Sequence, residues 1–285
     1  MVSSSLLPLI HSPVTFVALA LEKVKFSSPE PAFSGGFDAY RLDPIAQIFI
    51  SDDDGDPPEL LQGAIASVQQ SFSAYDYTLH NGESLRTFIA QHFGSEVVAA
   101  YDKLRPYAYK ADLGRYCLLY QQGGWYADIS TLMRQVVEHL ESSIEMVYFF
   151  DLGDGVVPGR SLFDVSNSLL YARPRLAVLE KAIETVVRHC REEYYGISIY
   201  CPTGPAVLGA AIAGHEHSSA HVCGHLMALT PNHDRRNLAF VLPDGQILAL
   251  FKKGWMAPDD VLFGKREGTN NYEDLWEQRC VYGES

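Results

Sequence analysis

Lys110 to Ser130 reads KADLGRYCLLYQQGGWYADIS: a helix, a glycine turn, a short strand and a carboxylate at the strand's end. At 3.6 residues per turn, Asp112 and Arg115 fall one turn apart on nearly the same face. Leu113, Tyr116, Cys117 and Tyr120 occupy the adjoining face and would pack inward. Gly114 leaves room for another element to approach closely. Gln122, Gly123 and Gly124 close the helix, since glycine is the usual residue just past a helix C-terminus. Trp125, Tyr126, Ala127 and Ile129 follow as a short buried strand. Asp128 lies inside that apolar run, and Ser130 follows two positions on, on the same side. A carboxylate in such a place is costly unless something pairs with it. A metal ion, or the hydroxyls and phosphates gathered around one, would supply the pairing. The same residues also admit a plainer account. Asp112 and Arg115 would then be a surface pair worth about 0.3–0.5 kcal/mol, and Asp128 a turn cap.

The block resembles the sugar-binding signature of the DxD-motif glycosyltransferases. That family includes fungal initiating mannosyltransferases and bacterial capsule-type transferases, with the glucosylating toxins as distant relatives. Its pattern is Ser/Ala-Asp, two residues, Arg-Tyr, a short apolar run, then Gly-Gly-x-Tyr-x-Asp-x-Asp. Ala111-Asp112, Arg115-Tyr116, Gly123-Gly124, Tyr126 and Asp128 all fall in step with it. The second acidic position of the Asp-x-Asp pair is Ser130 here. A hydroxyl is a poorer ligand for a hard divalent cation than a carboxylate. The resemblance therefore implies a Mn²⁺ or Mg²⁺ site held by Asp128 and, weakly, by Ser130, or a metal that is dispensed with.

Strand-and-helix patterning on both sides of the block suits an α/β chain. Ile45 to Ile50 is a buried first strand, Glu59 to Phe72 a helix and Tyr75 to Leu79 a second strand. Asn81 is a good N-cap for a helix over Ser84 to Phe93, and Val97 to Leu104 is helical. An Asp at the end of a strand after such alternation is a nucleotide-binding layout. If both strands are central and parallel, Ser51 and Asp128 share one crevice. The intervening SDDDGDPPE holds four aspartates, but loops of this composition are mostly solvated turns rather than metal sites.

Beyond the block, Val136 to Leu140 is expected as a short helix, Met146 to Phe150 as a strand and Asn167 to Tyr171 as another. Arg175 to Cys190 is the clearest amphipathic helix. Thr203-Gly204-Pro205 opens a further helix, whose free N–H groups suit phosphate or sugar oxygens; a plain turn into a packed helix fits equally. Leu238 to Leu250 reads as a hairpin around Pro243-Asp244-Gly245. His217, His221 and His225 have the spacing of one helix face and would fit a zinc site. Gly214 and Gly224 interrupt that pattern and favour a histidine-rich turn.

Composition excludes some partners. The 285 residues carry 35 acidic against 22 basic side chains, a formal net charge of −13. That disfavours nucleic acid and anionic membranes, which want basic patches. Five cysteines without a Cys-x-x-Cys pattern fit reduced thiols and a cytoplasmic location. Leu6 to Leu21 is apolar but interrupted by Pro8, His11 and Pro13. It is too short for a transmembrane segment and lacks the basic region of a signal peptide.

The resemblance implies a glycosyltransferase-A-type nucleotide-diphospho-sugar transferase fold, with a mixed central sheet flanked by helices. The expected layout is an N-terminal arm over 1–43 and a single catalytic domain over 44–285, with a closing tail from about 268. The implied reaction moves a hexose from a UDP- or GDP-sugar to a glycan, lipid-linked or small hydroxyl acceptor, with retention at the anomeric carbon. Asp128 and Arg115 are the implied catalytic pair. Asp112, Arg115, Tyr126, Asp128, Ser130, Asn167, Asn271 and Trp276 are the implied donor contacts. Asn271 is also a weak metal candidate, and Asn270 and Tyr272 lie in the same tail. The competing expectations are a non-catalytic nucleotide-sugar binder with a degenerate motif, and a zinc protein built on the histidines.

Overall fold

The computed structural model describes residues 43–52, 55–151, 164–215, 219–229, 238–251 and 270–284. Through the sugar-binding block the order is β1 (Pro44–Ile48), α1 (Glu59–Ser71), β2 (Asp76–His80), α2 (Gly82–His92), α3 (Ser95–Lys103), α4 (Tyr107–Gln122) and β3 (Gly124–Ala127). Then come β4 (Leu132–Met133), β5 (Met146–Asp151), β6 (Val165–Ala172), α5 (Ala177–Glu192), α6 (Pro205–Ala213), β7 (His221–Ala228), β8 (Leu238–Val241), β9 (Ile247–Leu250) and α7 (Tyr272–Glu277). The described strands make one nine-stranded sheet, ordered β2-β1-β3-β6-β5-β7-β8-β9-β4.

The sheet is mixed. β1 runs parallel to β2 and β3, while β6 runs antiparallel to β3 and β5. β5 and β7 are parallel, and β7, β8, β9 and β4 continue antiparallel. Both faces of the central strands are covered, so these strands read as nearly continuous apolar runs. Ala46, Ile48, Tyr126, Met146 and Tyr148 face one core with α2 to α6. Ile45, Trp125, Ala127, Val147 and Phe149 face the other, with Val68 and Phe72 of the α1 region.

An irregularity in β6 breaks this alternation. Its pairing with β5 shifts register between Val147 and Phe149. Leu170 and Ala172 face the helix-side core on one side of the shift, and Val165 does so on the other. A change of phase is what an irregular stretch does to a period-2 strand. It brings Asn167 onto the same face as α4, where its amide reaches Asp112 and Tyr116.

Two glycines fix the joint between α4 and β3. Gly123, at φ +71, is the helix C-cap, and Gly124 sits at φ +87. A Cβ at Gly124 would lie 2.1 Å from the Pro44 carbonyl oxygen of the neighbouring strand. Only glycine fits both the backbone angle and that approach. Gly114 admits the Leu85 side chain of α2, whose Cδ2 would be 2.5 Å from an added Cβ.

Two expected elements differ. Residues 136–140 are not helical. Five residues are too few to nucleate a helix on their own, and Val137 instead donates its N–H to the Ser71 carbonyl (2.8 Å) and buries its side chain. The histidine segment, where a turn is favoured over a helix, continues into a strand. His221 and His225 lie in β7, paired in parallel register with Met146 and Phe150 of β5. Recruitment into the sheet overrides the i, i+4 spacing, and His217 falls outside the described residues. The hairpin around Pro243-Asp244-Gly245 forms as expected, with Gly245 at φ +86. Residues 1–42 of the expected arm over 1–43, with its apolar segment, also lie outside the described residues.

Candidate active site at the carboxyl end of β3

Parallel pairing of β1 with β3 sets Ile45 against Trp125 and Ala46 against Tyr126. The carboxyl ends of these strands therefore lie side by side, and Ser51 and Asp128 follow on that edge. Asp128 is held from both neighbouring strands. Its N–H donates to the Ser168 carbonyl (2.7 Å), and its own carbonyl accepts from Gln47 Nε2 (3.2 Å). Gln47 is fully buried and also accepts from the Tyr77 hydroxyl of β2 (2.9 Å). Three strands thus fix the backbone of the motif's carboxylate.

Arg115 occupies the centre. Nη1 contacts Asp128 Oδ1 at 3.0 Å and donates to the Asn167 carbonyl at 2.6 Å. Nη2 lies 3.3 Å from Asp112 Oδ1, and Nε donates to the Ala111 carbonyl one turn back (3.1 Å). The guanidinium sits over the Tyr126 ring, 4.5 Å from its centroid. The Tyr126 hydroxyl donates to Asp128 Oδ1 at 2.8 Å. Asp128 and Tyr126 are two residues apart on a strand, so both side chains face α4.

Asp112 is almost fully buried, and protein donors serve both of its oxygens. Asn167 Nδ2 donates to Oδ1 (2.8 Å) and Thr203 Oγ1 donates to Oδ2 (2.7 Å). Tyr116 closes the network. Its hydroxyl accepts from Asn167 Nδ2 (3.1 Å) and donates to the Thr203 carbonyl (3.0 Å). The side chains of Asp112 and Arg115 are 11% and 5% exposed, whereas that of Asp128 is 32% exposed. Asp128 is the carboxylate that looks outward, and its Oδ2 receives no hydrogen bond from the described residues.

Burial shapes the electrostatics. It pushes the Asp112 carboxyl upward, while Arg115, Thr203 and Asn167 pull it back. For Arg115, burial works against the charge, but Asp128, Tyr126 and Asp112 outweigh it and hold the pKa above the ordinary arginine value. Arg115 is therefore a fixed cation beneath the outward-facing carboxylate. Burial raises both the Tyr116 and Tyr126 hydroxyls, so they act as donors rather than phenolates.

Other expected site residues are placed as follows. Ser130 is buried in the turn after β3, beside the buried Thr131. Asn167 joins the network through Asp112 and Tyr116, as above. Asn271 caps α7, accepting from Glu273 N (3.1 Å) and Asp274 N (3.4 Å). Trp276 docks the tail, donating Nε1–H to the Tyr195 carbonyl (2.9 Å) with the Arg279 guanidinium over its ring. Asn270 accepts from the N–H of Tyr107 (2.7 Å), which satisfies a free donor at the start of α4. The Tyr107 hydroxyl bonds Asp52 in the loop after β1.

Gln47 was not singled out in the sequence, and Tyr116 and Thr203, though noted there in the signature and at a helix start, were not expected as partners of Asn167 and Asp112. A glutamine within PIAQIFI was a signal: a polar side chain inside a buried strand needs a partner. The Thr203-Gly204-Pro205 turn was visible, but nothing local marked its pairing with Asp112, 91 residues away.

Among the described residues, no group of three or more His, Cys, Asp or Glu side chains is placed to hold a metal ion. The zinc alternative built on His217, His221 and His225 includes His217, which lies outside the described residues. The motif supplies one outward carboxylate oxygen. That fits a cation shared with a diphosphate, since Mg²⁺ is commonly bound by one or two carboxylates plus substrate phosphates.

Residues 58–146 match the family described as "Glycosyltransferase sugar-binding region containing DXD motif", so the chain carries such a region, which runs from α1 to the start of β5. Among solved structures it is similar to one titled "PaToxG Glycosyltransferase", at 14% identity, covering 60% of this chain and 68% of that one, with a TM-score of 0.45. No curated protein matches the chain in sequence. No helix among the described residues is long and apolar enough to cross a membrane.

Proposed function

We propose that the protein transfers a hexose from a UDP- or GDP-sugar to a hydroxyl of a glycan, lipid-linked or small acceptor, with retention at the anomeric carbon. The supporting observation is the half-buried carboxylate of Asp128 fixed over the buried Arg115 at 3.0 Å. In this reading residues 44–285 act as one catalytic domain. The bond from the anomeric carbon to the diphosphate oxygen breaks. A bond to the acceptor oxygen forms on the same face, and the hydroxyl proton leaves to the departing diphosphate. No side chain at the site serves as a general base. Catalysis is chiefly positioning and stabilisation of charge on the leaving group.

Asp128 orients the donor through its outward oxygen, and Arg115 holds Asp128 in place. Asp112, Asn167 and Tyr126 brace Arg115 and Asp128 rather than presenting free oxygens. Asp128, with the Ser130 turn beside it, would hold Mn²⁺ or Mg²⁺ delivered with the diphosphate. When bound, that cation supplies Lewis-acid screening of the leaving group's charge. Asn271 and Trp276 support the tail in this reading. All five cysteines are free, which supports a cytoplasmic site of action.

The experiment is a panel of UDP- and GDP-sugars, with and without Mn²⁺, read by release of nucleotide diphosphate and by the thermal shift of the protein. At least one donor is expected to turn over and to raise the melting temperature. Asp128→Ala is expected to abolish release, and full activity in that variant would contradict the site. Ser130→Asp is expected to tighten the Mn²⁺ dependence of donor binding; an unchanged dependence would remove Ser130 from the metal's neighbourhood.

A further inference from the structure

We propose that Thr203 is a positioning residue, its hydroxyl fixing the Asp112 carboxylate and thereby the aim of Arg115 at Asp128. The inference rests on the transferase reading for its catalytic consequence, though not for its geometry. Thr203 is fully buried in the turn before α6, and its Oγ1 donates to Asp112 Oδ2 at 2.7 Å. Its carbonyl accepts from the Tyr116 hydroxyl at 3.0 Å, so the residue is held from both ends. Gly204 crowds the same oxygen: a Cβ there would lie 3.3 Å from Asp112 Oδ2. Asn167 fixes the other oxygen at 2.8 Å, and Arg115 Nη2 meets that same Oδ1 at 3.3 Å.

Asp112 is thus a buried bridge, with α6 on one side and the Arg115–Asp128 pair on the other. Removing the Thr203 hydroxyl leaves a buried carboxylate oxygen without its donor, and such an oxygen moves to find another. The cation beside it is the Arg115 guanidinium, 3.3 Å from the other oxygen; the guanidinium would turn toward Asp112 and away from Asp128. Thr203 does not reach the outward face of Asp128, so donor affinity is carried by other groups.

The test uses the full chain with Thr203→Val and Thr203→Ser. The first readout is nitrogen NMR of the Arg115 side chain, assigned by its loss in Arg115→Lys. Rotation of the guanidinium is expected to be slow in the wild type and in Thr203→Ser, and faster in Thr203→Val. The second readout is steady-state turnover with the best donor of the panel. Thr203→Val is expected to lower kcat by about 100-fold, the scale of a small misplacement of reacting groups. The donor KM should stay nearly constant, and Thr203→Ser should recover most of the rate. Unchanged Arg115 rotation in Thr203→Val would overturn the proposal, as would failure of Thr203→Ser to recover kcat. If Thr203→Val does not fold, the wild type decides: fast Arg115 rotation there overturns the proposal, and slow rotation with recovered kcat in Thr203→Ser sustains it. If no donor turns over in the wild type, the transferase reading fails and the NMR arm alone decides the role of Thr203.

Discussion

Two arginine–aspartate sites in this chain show how little geometry alone decides. Arg86 and Asp102 form the better fork, with Nε to Oδ1 at 2.7 Å and Nη2 to Oδ2 at 2.6 Å. Arg115 meets Asp128 at 3.0 Å and Asp112 at 3.3 Å, each through a single nitrogen. Yet the first pair lies on the surface, with side chains 50% and 43% exposed. Water and salt screen it, and exposed pairs of this kind contribute little. The second is desolvated, so each missing partner leaves a charge with nowhere to go. What sets the site apart is the cover that α4, β3, β6 and the turn before α6 place around it.

The contrast can be pressed hardest at Arg115. Arg115→Met leaves Asp112 and Asp128 without their shared cation. It is expected to lower stability by about 3–5 kcal/mol and to abolish donor turnover, as measured by urea unfolding and nucleotide release. A melting curve equal to the wild type would mean that the buried pair is no more consequential than the surface one.

A smaller effect is expected from Tyr116→Phe. It removes one hydroxyl that both donates and accepts inside the network. The loss should be about 1–3 kcal/mol in urea unfolding. Turnover should fall less than in the Arg115 variant, because Thr203 and Asn167 still hold Asp112. Stability unchanged to within error would show that the network is looser than its distances imply.

The smallest effect belongs to the surface pair. Arg86, through its hydrogen bond to the carboxylate and then its charge, holds Asp102 below the usual carboxylate range. A depressed folded pKa gives stability that is present above the unfolded value, near 3.9, and fades as pH falls through the folded one. Arg86→Ala should therefore lose that contribution at neutral pH, seen as a melting temperature lowered only slightly because the pair is exposed and screened. It should also flatten the acid limb of the stability curve below about pH 4. A large loss at neutral pH would overturn the ranking of the two sites.

Much of the site was legible because its parts are close in sequence. Asp112 and Arg115 are one turn apart on one helix, Gly123 and Gly124 mark the turn, and Asp128 ends the strand that follows. Their packing follows from helix period and strand period alone. Three features were hidden for physical reasons. The phase change in β6, which turns Asn167 toward α4, comes from a register shift that leaves no compositional trace. Thr203 meets Asp112 only through tertiary packing. The histidine spacing suggested a helix, but pairing with β5 drew His221 and His225 into a strand. Gly214 and Gly224 already spoke against that helix and favoured a turn, and the strand begins at His221 because sheet recruitment outweighs helix periodicity in a short segment.

The central claim is that Asp128 faces the donor from a rigid, buried base. Calorimetric titration of the best UDP- or GDP-sugar, in the presence of Mn²⁺, into wild type and Asp128→Asn tests it most directly, with urea unfolding of both proteins in parallel. The expected result is donor binding lost or weakened at least about tenfold, a change of 1.4 kcal/mol, while the unfolding midpoint moves far less than for Arg115→Met. Equal donor affinity in the two proteins would contradict the account.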